Sequence, residues 1–85
     1  MKKTLSRIIA ERVEQLRDEK DISIATLCYN SALPFSTLSH ILKADIKNPG
    51  IKTLVKVCDG LGVTLQEFFD TPEFEEAIID ARIED

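Results

Sequence analysis

The sequence predicts an all-α fold: a compact five-helix domain with an additional C-terminal helix. Apolar residues recur at spacings of three and four along most of the chain, which is the period of a helix with one buried face. No segment alternates apolar and polar residues over a useful length, so no sheet is expected. The chain has 85 residues, enough for one domain, and 44% hydrophobic with 31% charged residues is typical of a globular protein.

The first three helices follow from apolar spacing and helix-start signals. Residues 4–19 form the first helix, with an apolar stripe of Leu5, Ile8, Ile9, Val13 and Leu16. Ser23 is a good N-cap for a second helix over residues 23–30. A proline does not fit inside a helix, so Pro34 separates this helix from a third one over residues 35–43.

Two further helices complete the predicted domain. A loop rich in turn residues precedes helix four, which covers residues 51–61 and has Gly62 at its left-handed end. Thr64 and Glu67 have the spacing of a capping box, which opens a short helix five over residues 65–69.

A last helix is predicted over residues 72–83, because Thr71 and Pro72 repeat the helix-start signal. We therefore divide the chain into a domain of residues 1–70 and a helical extension of residues 71–85. A lone helix of this length is marginal in water, so it must dock on its own domain or on a second copy. We expect the second copy, and thus a homodimer.

The charge is unevenly distributed. The formal net charge is −4, yet residues 1–56 carry ten basic and six acidic side chains, whereas residues 57–85 carry one basic and nine acidic ones. The basic N-terminal part is therefore suited to binding phosphates, and the acidic C-terminal part should point away from them.

Several classes of function are excluded by the sequence. No segment reaches the length of about 18 apolar residues that spans a membrane, and Glu11 interrupts the only signal-like start, so we expect a cytoplasmic protein. Cys28 and Cys58 are read as core residues, since one histidine and two distant cysteines do not make a zinc site. Ser39 and His40 are adjacent and point about 100° apart on a helix, so we expect no catalytic site and no enzyme.

Residues 23–42 have the pattern of two short helices that cross steeply around a tight turn. Cys28 provides a small residue at the close approach, and Ala32 a compact residue in the turn. Apolar residues that point inward from both helices are Leu27, Leu33, Leu38 and Ile41. The outer face of the second helix is then free to lie in a DNA major groove.

This segment resembles the XRE, lambda-repressor-like (Cro/repressor-type) helix-turn-helix family, and the similarity extends over residues 5–70. The resemblance implies a sequence-specific transcriptional regulator that binds double-stranded DNA, a repressor in the common family role. Because no separate ligand-sensing domain fits in 85 residues, we expect no cofactor and no small-molecule ligand. Three positions depart from the family pattern. Ile24 stands where many family members have glutamine, and Ala32 stands where they often have glycine. The recognition helix begins with Pro34-Phe35, where the family often has polar side chains.

The family's docking mode implies which residues contact DNA. The base-reading positions are Phe35, Ser36, Thr37, Ser39 and His40. The phosphate-binding positions are Arg17, Ser23, Lys43, Lys47, Asn48 and Lys52.

Each of these assignments has a plainer alternative. Phe35 can instead pack in the core, Arg17 can pair with Glu14 or Asp18, and His40 and the lysines can be ordinary solvated side chains. For the whole chain the alternative is a non-enzymatic interaction module, an antitoxin-like adaptor whose acidic tail binds a basic partner.

Overall fold

The computed structural model describes residues 3–46 and 49–76, and these residues form helices and connecting loops. The helices follow the order predicted from the sequence, and their ends agree with the prediction to within one residue. They are α1 (Leu5–Glu19), α2 (Ile24–Ser31), α3 (Phe35–Leu42), α4 (Ile51–Leu61) and α5 (Leu65–Phe68). Residues 72–76 begin a further helix. The predicted all-α fold is confirmed.

Among the helices α1 to α5, three start at a side-chain cap. The hydroxyls of Thr4, Ser23 and Thr64 accept hydrogen bonds from the backbone N–H groups of Arg7, Thr26 and Glu67, over 3.2, 3.1 and 3.0 Å. Each bond satisfies one of the donors that a helix leaves unpaired at its first turn. The caps at Ser23 and Thr64 are those expected from the sequence.

Four helices end in the same hydrogen-bonded reversal of the chain. A residue with positive φ follows each of α1 to α4, and these residues are Asp21, Ala32, Ala44 and Gly62. The next backbone N–H then reaches back to a carbonyl five residues earlier, as in the bond from Leu33 to Cys28 over 3.2 Å. Ala32, with φ +56° and ψ +35°, therefore adopts the left-handed conformation that a glycine would occupy more easily.

The core lies where α2 packs on α4 and α1 packs on α3. Its fully buried side chains are Val13, Leu27, Leu38, Val57, Leu61 and Phe68. Cys58 is buried among them, and this burial raises the pKa of its thiol. Cys28 is only half-buried against the core, and both thiols are free.

α2 and α4 approach each other closely at Gly60. A Cβ at Gly60 would lie 2.8 Å from the Cβ of Ser31 and 2.9 Å from a methyl group of Leu27. Ser31 is itself buried, and its hydroxyl donates to the carbonyl of Leu27 over 2.6 Å. The small residues at the close approach of α2 to α4 are thus Gly60 and Ser31, a pair that sequence reasoning did not identify.

The chain after α5 is packed against its own domain as far as it is described. Phe74 is buried, and its ring centroid lies 4.8 Å from that of Phe69 and 5.9 Å from that of Phe68. Residues 77–83 of the predicted last helix lie outside the described residues. None of the helices described is long and apolar enough to cross a membrane.

Candidate nucleic-acid interface

α3 is held against the domain by one side and exposes the other. Pro34 stands at its N-cap with φ −62°, so the helix starts directly after the turn that follows Ala32. Leu38 and Ile41 are buried against α1 and the core. Because successive residues turn by about 100°, the direction opposite these two side chains is occupied by Ser36 and Lys43.

The α3 face consists of Phe35, Ser36, Thr37, Ser39 and His40, the residues predicted to read bases. Ser39 and His40 lie on either side of its centre, and Phe35 and Thr37 lie at its two edges. Phe35, Ser36 and His40 are exposed, and Thr37 and Ser39 are half-buried. Phe35 has 65% of its surface exposed, so it lies outside the core.

His40 is linked to Asp45 at the far end of α3. The Nδ1 atom of the imidazole lies 3.4 Å from Oδ2 of Asp45, and the backbone N–H of Asp45 donates to the carbonyl of His40 over 3.0 Å. The reversal at Ala44, with φ +59°, brings the carboxylate back beside the helix. Sequence reasoning missed Asp45 as a member of this site, because it read residues 45–50 only as a loop.

The backbone at Ile46, after the end of α3, is bonded to α1. The hydroxyl of Ser6 donates to the carbonyl of Ile46 over 2.6 Å, although 40 residues separate them in sequence. This bond precedes Lys47 and Asn48, two predicted phosphate-binding residues that lie outside the described residues. Nothing in the local sequence around Ser6 indicated that its hydroxyl bonds to Ile46.

Arg17 makes bonds within its own domain. One guanidinium nitrogen lies 2.6 Å from a carboxylate oxygen of Glu14, and another donates to the carbonyl of Ile22 over 3.0 Å. The ion pair with Glu14 is the alternative that the sequence offered for this residue. The arginine thereby braces the connection between α1 and α2, and its predicted contact with a phosphate remains a prediction.

The remaining predicted phosphate-binding side chains are exposed. Lys43 directly follows α3, and Lys52 lies in the first turn of α4. The hydroxyl of Ser23 caps α2 and also donates to the hydroxyl of Thr26 over 2.9 Å. By contrast, Gly50 gives α4 no side-chain cap, so the first N–H groups of α4 remain suitable donors for an anion.

Two short helices joined by a left-handed turn, with the second helix exposed along its outer side, define a helix-turn-helix DNA-binding domain. Residues 5–73 match the family profile of the Cro/C1-type HTH DNA-binding domain. The chain therefore belongs to this family, which confirms the resemblance seen in the sequence. No curated protein matches the chain.

The solved structures that resemble this chain include three of the restriction-modification controller protein C.Esp1396I. The wild-type protein has a TM-score of 0.74 and 25% identity, and the match covers 93% of this chain and 99% of that one. A mutant with tyrosine replaced by phenylalanine has a TM-score of 0.72 and 27% identity over 100% of both chains. A mutant with that tyrosine replaced by alanine has a TM-score of 0.72 and 26% identity, covering 98% and 100%.

The family profile and the structural neighbours indicate the same class of protein. The chain is a DNA-binding transcriptional regulator. Its family is typically non-enzymatic. Within residues 3–46 and 49–76, no three His, Cys, Asp or Glu side chains are grouped so that they could hold a metal ion.

Proposed function

We propose that this chain is a sequence-specific repressor that inserts α3 into the major groove of an operator and excludes polymerase from the promoter. The observation that carries the proposal is the exposed α3 face in a Cro/C1-type domain. Its side chains end in hydroxyls, an imidazole and a phenyl ring, all of which can contact base edges. As a DNA-binding regulator, the protein is expected to act in the cytoplasm.

The phosphate contacts in this proposal surround the α3 face. Lys43 and Lys52 supply exposed positive charges, and the N-terminus of α4 supplies N–H donors. Lys47 and Asn48, which follow Ile46 in the sequence, are the remaining phosphate contacts of the proposal. Arg17 and Ser23 also brace the start of α2, because the terminal guanidinium nitrogens of Arg17 and the hydroxyl of Ser23 make bonds within the domain.

We further propose that the protein binds as a homodimer and controls the genes of a restriction-modification system. The similarity to restriction-modification controller proteins over nearly the full length of both chains supports this assignment. A twofold dimer presents two recognition helices about 34 Å apart, so its operator is an inverted repeat with half-sites about one helical turn apart. Sedimentation with and without operator DNA tests the dimer, which a persistent monomer would contradict.

The experiment that tests DNA recognition is selection from a random duplex pool at physiological salt. We expect enrichment of an inverted repeat, and a linear fall of log affinity with log salt concentration. Lys52→Ala should reduce the salt slope by about one unit. Lys3→Ala is the matched control, because the ammonium of Lys3 is already paired with the carboxylate of Glu11 over 2.7 Å and its removal should leave the slope unchanged.

A pool without enrichment, even at low salt, would contradict the proposal. The chain would then be better explained as an adaptor that uses its acidic C-terminal part to bind a basic partner.

A further inference from the structure

The ring of Phe35 is an exposed aromatic group at the start of the recognition helix. It is the first residue of α3 and is 65% exposed. It does not join the aromatic cluster of Phe68, Phe69 and Phe74, and Leu38 and Ile41 already fill the buried side of α3. The fold therefore gives this ring no packing role that explains a phenyl group in this position.

The chemistry around Phe35 narrows what the ring can contact. Helix α3 contains no Arg, Lys, Asn or Gln, the side chains that make bidentate hydrogen bonds to guanine and adenine. The nearest outward side chain of the helix is that of Ser39, about 40° away around the axis. The phenyl ring of Phe35 itself has no hydrogen-bond donor or acceptor, so its contact in the groove is apolar. The major groove offers one prominent apolar group, the methyl group on C5 of a pyrimidine.

We propose that Phe35 is a specificity-determining residue that recognises a C5-methyl pyrimidine in the operator. This inference rests on the proposed insertion of α3 into the major groove. Thymine and 5-methylcytosine present the same methyl group on the same ring carbon, so both satisfy the contact. Cytosine and uracil lack the methyl group and leave the phenyl ring against water.

The test uses pairs of operator duplexes that differ by one methyl group. In one arm, each thymine of the selected operator is replaced in turn by uracil. In the other arm, cytosine is compared with 5-methylcytosine at the same positions. We expect the wild-type protein to lose about fourfold in affinity when the contacted methyl group is removed, the effect of exposing one buried methyl group.

Three variants show whether Phe35 carries this effect. Phe35→Ala should bind both members of a pair equally, and its fold should persist because the side chain lies outside the core. Phe35→Leu retains an apolar side chain and should retain most of the preference for the methylated duplex. This variant also tests the contact if Phe35→Ala binds DNA too weakly for its affinity to be measured. Tyr29→Ala removes an aromatic side chain that is 87% exposed on α2, and it should leave the preference unchanged.

The outcomes distinguish thymine from 5-methylcytosine as the source of the methyl group. They also distinguish failure of this inference from failure of the proposed function. A preference confined to the thymine arm identifies thymine, and one confined to the cytosine arm identifies 5-methylcytosine. Tight binding by the wild type without any methyl preference overturns this inference alone, as does a full preference in Phe35→Ala. Failure of the wild-type protein to enrich any duplex overturns the proposed function, and this inference with it.

Discussion

Gly60 and Ser31 lie so close together that a Cβ on Gly60 would be 2.8 Å from the Cβ of Ser31. This contact joins α4 to α2, the first helix of the helix-turn-helix. Since α2 precedes α3 by a three-residue connection, the Gly60–Ser31 contact helps to set where the α3 face points. The missing side chain of Gly60 is therefore part of the architecture of the DNA-binding surface.

Gly60→Ala should destabilise the protein by about 1–3 kcal/mol, because the added methyl group overpacks a contact made by Ser31 and Leu27. An alanine elsewhere inside a helix would instead be expected to stabilise it by about 0.5–1 kcal/mol relative to glycine. The sign of the change in the free energy of unfolding, measured by urea denaturation, thus distinguishes the two cases. Gly50→Ala is the uncrowded comparison, because a Cβ added there would meet no atom within 4 Å and φ is −65°; it should cost only the preference of an N-cap for glycine over alanine.

Ala32→Gly should stabilise the protein by about 1 kcal/mol, because Ala32 has a φ of +56° and glycine adopts this conformation without a Cβ penalty. Gly62→Ala makes the reverse change at the end of α4, where φ is +73° and no neighbour crowds the site. It should destabilise by a similar amount. The melting temperatures of both variants check this prediction. Shifts of the same sign in the two melting temperatures would refute the argument from backbone strain.

Arg12→Lys should lower the free energy of unfolding by about 1.5 kcal/mol, a typical value for hydrogen bonds made by a charged group. The guanidinium of Arg12 donates to the carbonyls of Phe68 and Glu67 over 2.7 and 2.6 Å, and lysine cannot reproduce this paired geometry. Gln15→Ala removes only the side-chain contact with Arg12 and should have a small effect. An equal loss of unfolding free energy in the two variants would mean that the bonds from Arg12 to the two carbonyls do not stabilise the fold.

Asp45→Asn should raise affinity for operator DNA by about threefold at low salt, because it removes a negative charge from a surface that faces phosphates in the proposed complex. The gain should shrink as salt increases. Glu75→Gln removes the same charge from the exposed acidic segment after α5 and should change affinity less. Affinity measurements across a salt series decide this, and a weaker-binding Asp45→Asn would show that the link to His40 matters more than the charge.

The helices and much of the candidate site could be predicted from the sequence because their signals are local. Capping by Ser23, the break at Pro34 and the apolar spacing of α1 each involve residues within one or two turns of each other. The pattern of α2, turn and α3 also identified the family, and the expected exposure of the α3 face follows from the position of its two buried residues.

Tertiary structure alone decided the contacts between residues far apart in sequence. The close approach of Gly60 to Ser31, the bond from Ser6 to Ile46 and the capping of α5 by Arg12 span 29 to 56 residues. The internal partners of Arg17 and the exposure of Phe35 likewise depended on how the helices pack. Local spacing determines which residues form a helix and which face is apolar, whereas packing determines which polar groups remain available to DNA.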